Sequence, residues 1–399
     1  MISVGGRRLL VILLFCTTVT CSLPGCHEKE GNTKQLYYKT LSLFNATNPG
    51  FGLDTGQKKE HLHYPMTYAL YACAEAHRAL INKDRQALES ATRSAGWLVE
   101  HNDLDMDGQV GWGLPFAWDA GGDGSINPSH TEYAITTALV IQGLLDTWDA
   151  LNEFGDQSTE LQPLLLQNAL GGFRTFHDKY DSTSSGFVFW YSTAPQDNLH
   201  IINSHAMLVG QFQRLSTYPI NEDIKHQIET LTRYGFDYLR NHRRKDSSGV
   251  IFWNYREDLP EGGISRPNDS CHEMYTLQGI LDYQLYSQTK SPLVQKTDVA
   301  KNIQRFLEES WVREFPRGGE YPPSYQTILD RPARIWGLGY LLYLSARLDL
   351  NDLADSLYKI LATQYAQQET LILRPDLEDV SFYPRFVAHA LFGLSYYVW

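Results

Sequence analysis

TALVIQGLLD, residues 137–146, is apolar on nearly every side of a helix and carries a glycine near its middle. The same kind of segment returns as HAMLVGQFQRL (205–215), MYTLQGILDY (274–283), WGLGYLLYL (336–344) and AHALFGLSYY (388–397). Glycine inside a helix costs about 1 kcal/mol against alanine. Gly143, Gly210, Gly279, Gly339 and Gly393, recurring at matching places, therefore imply that helices approach one another closely. These apolar segments belong to six predicted helices, over 65–80, 132–151, 202–215, 272–286, 332–348 and 384–398.

A second kind of helix alternates with them. The spans 34–45, 85–101, 160–177, 222–240, 294–311 and 352–364 are amphipathic; Leu88, Ala91, Ala95 and Leu98, for instance, share one face. Asn221 and Asn351 read as N-caps, and Ser291-Pro292 as a helix entry. An all-round apolar helix needs burial, and a one-sided helix supplies the cover. Strict outer–inner alternation, six times over, predicts an all-α chain folded as an (α/α)6 toroid, each pair burying its face against its neighbours.

Inner-to-outer connections are short, as at 81–84 and 216–221, whereas outer-to-inner connections are long. The long loops must then share one face of the ring, where a site is expected. Two of them carry near-copies, SSGFVFWYS (184–192) and SSGVIFWNY (247–255), and DGQVGWGLPFAW (107–118) reads as a looser third. Gly186 and Gly249 would turn short β-hairpins over the barrel mouth.

The chain has 399 residues, a net charge of −12 and 13% aromatic residues. An acidic chain with no basic face is not expected to bind nucleic acid. Arg7-Arg8, the apolar run 9–20 and Leu23-Pro24-Gly25-Cys26 read as an export segment over 1–26 with a lipobox-like end. Residues 27–399 then form a single toroid domain, periplasmic or anchored to the cell envelope through a lipid on Cys26; an uncleaved anchor is the alternative. Cys73 and Cys271 make no disulfide framework.

The mouth gathers His130, Glu132, His200, Asn203, His205, His272 and Glu273, with Trp190, Tyr191, Trp253 and Tyr255, and with Arg256, Arg266 and Arg334. Arginine forks suit carboxylates, and flat Tyr and Trp faces suit sugar rings. Together they point to an acidic polysaccharide, although such arginines also tie loops to neighbours such as Glu257 and Asp258. His205 and His272 are candidate proton carriers or loop-capping residues. Glu132 and Glu273 are candidate general acids or bases, or ordinary first-turn helix acids. Asp103, Asp105 and Asp107 open a D-x-D-x-D-G calcium-type loop, with Leu114 where the closing glutamate would stand. A structural calcium is one reading of this loop and a solvated acidic turn the other; the chemistry itself requires no cofactor.

The stretch YDSTSSGFVFWYS…NLHIINSHAMLVGQFQRL, within 180–215, resembles the C-terminal helical domain of D-glucuronyl C5-epimerases. The whole chain is similar to toroid proteins of bacterial exopolysaccharide biosynthesis clusters (VpsJ-type). The resemblance implies uronate chemistry, with Tyr191 or a neighbouring tyrosine and a Glu or His moving the C5 proton. A lyase begins with the same step and needs Asn203 or an arginine against the carboxylate. A glycoside hydrolase would need two carboxylates, and a non-catalytic glycan-binding or export-assembly factor would need neither.

Overall fold

The computed structural model describes residues 24–56, 60–122, 124–155, 160–258, 266–307, 320, 332–367 and 370–399. Residues 1–23 of the expected export segment (1–26) lie outside them, whereas 24–26 begin the first helix.

Twelve helices are present among the described residues. Six form the outer layer: α1 (Pro24–Ser42), α3 (Arg85–Glu100), α5 (Leu161–Phe176), α7 (Glu222–Asn241), α9 (Lys296–Leu307) and α11 (Asn351–Ile360). Six form the inner barrel: α2 (Pro65–Asn82), α4 (Ala134–Glu153), α6 (Ile202–Leu215), α8 (Ser270–Tyr286), α10 (Ile335–Arg347) and α12 (Pro384–Val398). Each inner helix packs on the next, and α12 packs back on α2, so the ring closes as an (α/α)6 toroid. Among the described helices none is long and apolar enough to cross a membrane.

The recurring glycines do what their cost implied, but as three pairs. Gly143, Gly279 and Gly393 are each the tenth residue of their helix. They meet the fifth residue of the preceding inner helix, namely Ala69, Ala206 and Gly339. A Cβ on Gly279 would lie 2.1 Å from the Ala206 carbonyl oxygen, so no larger residue fits without parting α6 from α8. Gly210 belongs to the same α6–α8 crossing, facing the Gly279 backbone.

Asn221 caps α7 through its side chain, as expected. Asn351 instead lies inside α11, after Leu350, and α9 starts at Lys296, beyond Ser291-Pro292.

Two-stranded hairpins rise from the long loops: β1 (Phe51–Gly52) with β2 (Leu62–His63), β3 (Tyr180–Thr183) with β4 (Gly186–Phe189), β5 (Arg244–Lys245) with β6 (Ile251–Phe252), and β7 (Ala366–Gln367) with β8 (Thr370–Leu371). The loops are stitched around the rim. The first N–H of an inner helix donates to a carbonyl in the next loop: Ala134 to Tyr191, Ile202 to Tyr255, Ser270 to Glu320 and Ile335 to Leu373, at 2.9–3.1 Å. This satisfies helix-end donors that would otherwise be orphaned and holds the long loops on one face.

Candidate functional site

The inner helices share a register. Their second residues are Met66, Ile135, Asn203, Cys271, Trp336 and Arg385, and their sixth include Tyr275, Tyr340 and His389. The sixth residues meet across the barrel. The Tyr275 hydroxyl donates to His389 Nε2 at 2.5 Å, although α8 and α12 are not neighbours in the ring. His389 Nδ1 donates to the Arg385 carbonyl at 2.7 Å, which fixes the tautomer. Burial pushes the His389 pKa down to about 3, so the ring is neutral. Deeper still, Gln278 Nε2 donates to Gln142 Oε1 across the axis. At the far end Arg214 pairs with Asp146 and Arg347 with Asp282, all at the thirteenth helical position. Among the described residues these pairs bridge the lower part of the barrel.

At the mouth stands His272. Its Nδ1 lies 2.7 Å from Asp269 Oδ2, and Asp269 Oδ1 accepts the N–H groups of Cys271 and His272 as the cap of α8. Burial raises the Asp269 carboxyl, but His272, its hydrogen bonds and Arg334 outweigh that and hold it below the usual range. The carboxylate therefore accepts Nδ1–H, and Nε2 points away from it. Nε2 has no hydrogen-bond partner among the described residues. The half-buried ring is flanked by Tyr255 at 5.1 Å and Trp336 at 5.5 Å, both edge to face.

Trp336, beside His272, is one of several residues at or near the starts of inner helices with an unsatisfied donor. The Tyr64 hydroxyl, the Asn203 amide nitrogen, Trp336 Nε1 and the Tyr340 hydroxyl are buried without a hydrogen-bond partner among the described residues. Buried polar groups are nearly always paired, so four such groups on the ends of inner helices are available to a ligand. Arg334 lies over the Trp336 ring and reaches Glu320 only at 3.7 Å. Arg385 is committed, with two hydrogen bonds to the fully buried Asp54.

Of the expected residues, His272 and Arg334 both contact Trp336; Asn203 is the second residue of α6, and the Tyr191 carbonyl caps α4. Tyr191 packs on Tyr133 at 5.3 Å, and burial raises its phenol, with Arg385 lowering it in part. Tyr255 and Arg266 form the rim, the guanidinium lying 5.3 Å from the ring centre.

Other expected residues have different places. His205 and Glu273 are both the fourth residue of their helix, and that position looks outward. His205 accepts the Phe189 N–H and bonds the Gly235 carbonyl of outer helix α7; it is fully buried, with its pKa pushed down to about 3 by burial. Glu273 accepts from Asn268 and senses Arg305 of outer helix α9. Burial lifts its carboxyl to about 7, against the lowering effect of both neighbours. Glu132 accepts from the Thr193 hydroxyl and senses Asp105 and Asp107; burial lifts it too to about 7. His200 is held at both nitrogens, by Asp181 at 2.9 Å and Tyr238 at 3.3 Å. Arg256 makes two hydrogen bonds to Asp258.

Trp190 and Trp253 are not equivalent, because the two loop copies are offset by one residue. Tyr191 and Tyr255 occupy matching places, each capping an inner helix through its carbonyl. Trp253 therefore matches the buried Phe189, and its Nε1 donates to the Leu239 carbonyl. Trp112 does the same to Leu98, which makes 107–118 a genuine third copy. Trp190 is half-buried and donates to Asp181.

In the acidic turn, oxygens of Asp103, Asp105 and Asp107 lie within 4.8 Å of one another. Asp103 also accepts the N–H groups of Asp107 and Gly108, so the turn is shaped by its own carboxylate.

No family model matches the chain, and no curated protein matches it by sequence. Solved structures do match in shape. A sugar epimerase from a ruminal bacterium superposes with a TM-score of 0.59 at 12% identity, over 92% of this chain and 98% of that one. A polysaccharide lyase gives 0.55 at 11% identity, over 93% and 97%. An unsaturated glucuronyl hydrolase specific for heparin gives 0.55 at 12% identity, over 92% and 96%. At these identities the likeness shows the shared toroid fold.

Proposed function

We propose that this chain is a carbohydrate-active enzyme that removes a proton from a uronate unit of an acidic polysaccharide, in the manner of a C5-epimerase or a lyase. The observation that carries the reading is the Asp269–His272 pair, with Nε2 open to a mouth lined by unsatisfied donors. A histidine oriented by a carboxylate is suited to act as a general base. His272 takes the C5 proton, and the electron pair of that bond moves into the adjacent carboxylate group. Arg334, the Asn203 amide and Trp336 Nε1 are the groups suited to the resulting charge. Return of a proton to the opposite face, with Tyr191 or Tyr275 as donor, inverts C5. Departure of the C4 oxygen instead gives a double bond and a shorter chain.

The relatives in shape include an epimerase and a protein named for unsaturated glucuronyl substrates, which supports carbohydrate chemistry without choosing the sugar. A hydrolase would need two carboxylates at the scissile bond. The candidates are Glu132 with Asp119 or Glu273; Glu132 and Glu273 are directed at loops and the outer layer, and Asp119 accepts the N–H groups of Gly122 and Gly124 in its own turn. A structural calcium at Asp103–Asp107, export, lipidation of Cys26 and service in exopolysaccharide biosynthesis, as in VpsJ-type proteins, complete the proposal. They rest on the sequence features alone.

The test is incubation of the purified protein with uronate polysaccharides in heavy water, followed by NMR. Deuterium at C5 or new vinyl protons support the reading and separate epimerase from lyase. Shortened chains with neither signal favour a hydrolase, and unchanged spectra favour a binding role.

A further inference from the structure

The SSG hairpin that recurs in the sequence is used differently in its two copies. In the second copy, Arg305 of α9 lies over the Phe252 ring at 5.5 Å and reaches Asp246 at 3.6 Å. Side chains from the outer helix thus pin that hairpin. In the first copy no such arginine crosses among the described residues. The β3–β4 hairpin and α7 instead border an open groove of about 600 Å³ on the outer wall of the toroid.

Tyr180, Ser182, Ser184, Tyr234, Asp237 and Asn241 line it. Tyr234 is 46% exposed, an unusual degree for so large an aromatic side chain. It is not loosely placed: a Cβ on Gly186 would lie 2.5 Å from its carbonyl oxygen, so hairpin and helix are in direct contact. Tyr180 packs on Phe187 at 4.6 Å, which in turn lies 6.2 Å from Tyr234. The two tyrosines thus stand on a shared aromatic base. The Ser182 and Ser184 hydroxyls have no partner among the described residues, whereas Asn241 is fixed by a hydrogen bond to the Ser185 carbonyl. None of the groove-lining residues is basic, and the one carboxylate, Asp237, is paired with Arg240.

We propose that this groove is a second carbohydrate-binding site, for an uncharged segment of a glycan chain. Tyrosine faces match the C–H faces of neutral sugar rings, and free serine hydroxyls match their hydroxyl groups. Arg233 covers one face of the Tyr234 ring at 4.9 Å, which leaves the other face for a sugar; no arginine lines the groove itself, unlike the mouth. A polymer with acidic and neutral units would be held outside the barrel while its uronate enters. The inference rests on the carbohydrate reading of the chain but not on the proton-transfer chemistry.

The test uses protein carrying His272→Ala, so that turnover at the mouth plays no part. Cellohexaose, mannohexaose and maltohexaose are titrated and binding is followed by NMR or calorimetry. At least one neutral hexasaccharide should bind. Adding Tyr234→Ala should weaken it about tenfold, and Ser184→Trp, which fills the groove from an exposed turn, should weaken it as well. Binding of hexagalacturonate at the mouth should be the same in all three proteins. Absence of binding by every neutral probe overturns the proposal, and so does binding that survives both substitutions. Groove binding that persists where the native protein shows no deuterium exchange would sink the mouth chemistry alone.

Discussion

Nδ1 of His272 lies 2.7 Å from Oδ2 of Asp269, and the same carboxylate caps the helix on which His272 sits. One residue thus ends the loop, starts α8 and sets which histidine nitrogen is free. Asp269→Asn should separate these roles. An asparagine oxygen still caps the helix, but its NH2 faces Nδ1 and places the ring proton on Nε2. Stability should then change by less than about 1 kcal/mol. The kcat should fall by roughly 10²–10⁴, as much as in His272→Gln. Thermal unfolding and kcat measured on both variants check this. An active Asp269→Asn protein would contradict it.

His205 is expected to matter for folding alone. His205→Ala would take the His205 acceptor from the Phe189 N–H, remove the bond to the Gly235 carbonyl and open a cavity between α6 and α7. The cost should be about 2–4 kcal/mol. Denaturant melts should show the loss, while kcat per folded molecule stays near the native value. A stable but inactive variant would restore His205 to the chemistry.

Glu273 gives a pH signature. The unfolded chain ionises this group above its ordinary value of 4.5, whereas the folded protein keeps it protonated up to about 7. The native state therefore binds more protons in that window, and stability falls as pH rises through it, by on the order of 3 kcal/mol from this group. Above the window the group adds no further slope. Glu273→Gln should flatten the decline in melting temperature across that range, and an unchanged slope would show that the carboxyl ionises normally.

The acidic turn offers a separate check. If Asp103, Asp105 and Asp107 hold calcium, millimolar calcium raises the melting temperature, since a ligand that binds only the folded state stabilises it. Asp105→Asn should remove most of the rise, because one of its oxygens is buried without a partner. Equal melting curves with calcium and with chelator would dismiss the ion.

The toroid was legible because two helix types with different burial needs write different patterns, and because interior glycines are costly enough to mark contacts. The site was legible only in part. Inner helices are apolar nearly all round, so hydropathy does not say which side faces the axis. His205 and His272 both start an inner helix, yet one is the fourth residue and looks outward while the other is the third and looks into the mouth. The Gly279–Ala206 crossing shows that register, and aligning the helices on it would have told the two apart. Tyr275, Trp336 and His389 stand inside the repeated apolar segments, where nothing in the pattern marks them as facing the axis. Asp269 was missed although an aspartate just before an apolar helix is an N-cap signal. The one-residue offset between the hairpin copies hid the fact that Trp253 replaces Phe189 rather than Trp190.

The most direct measurement is deuterium incorporation at C5 of a uronate polysaccharide in heavy water, comparing the native protein with His272→Ala. The account predicts label, or vinyl protons from elimination, with the native protein and a loss of at least about a hundredfold in the variant. Equal labelling by both proteins, or none by the native one across the uronate panel, would contradict His272 as the base.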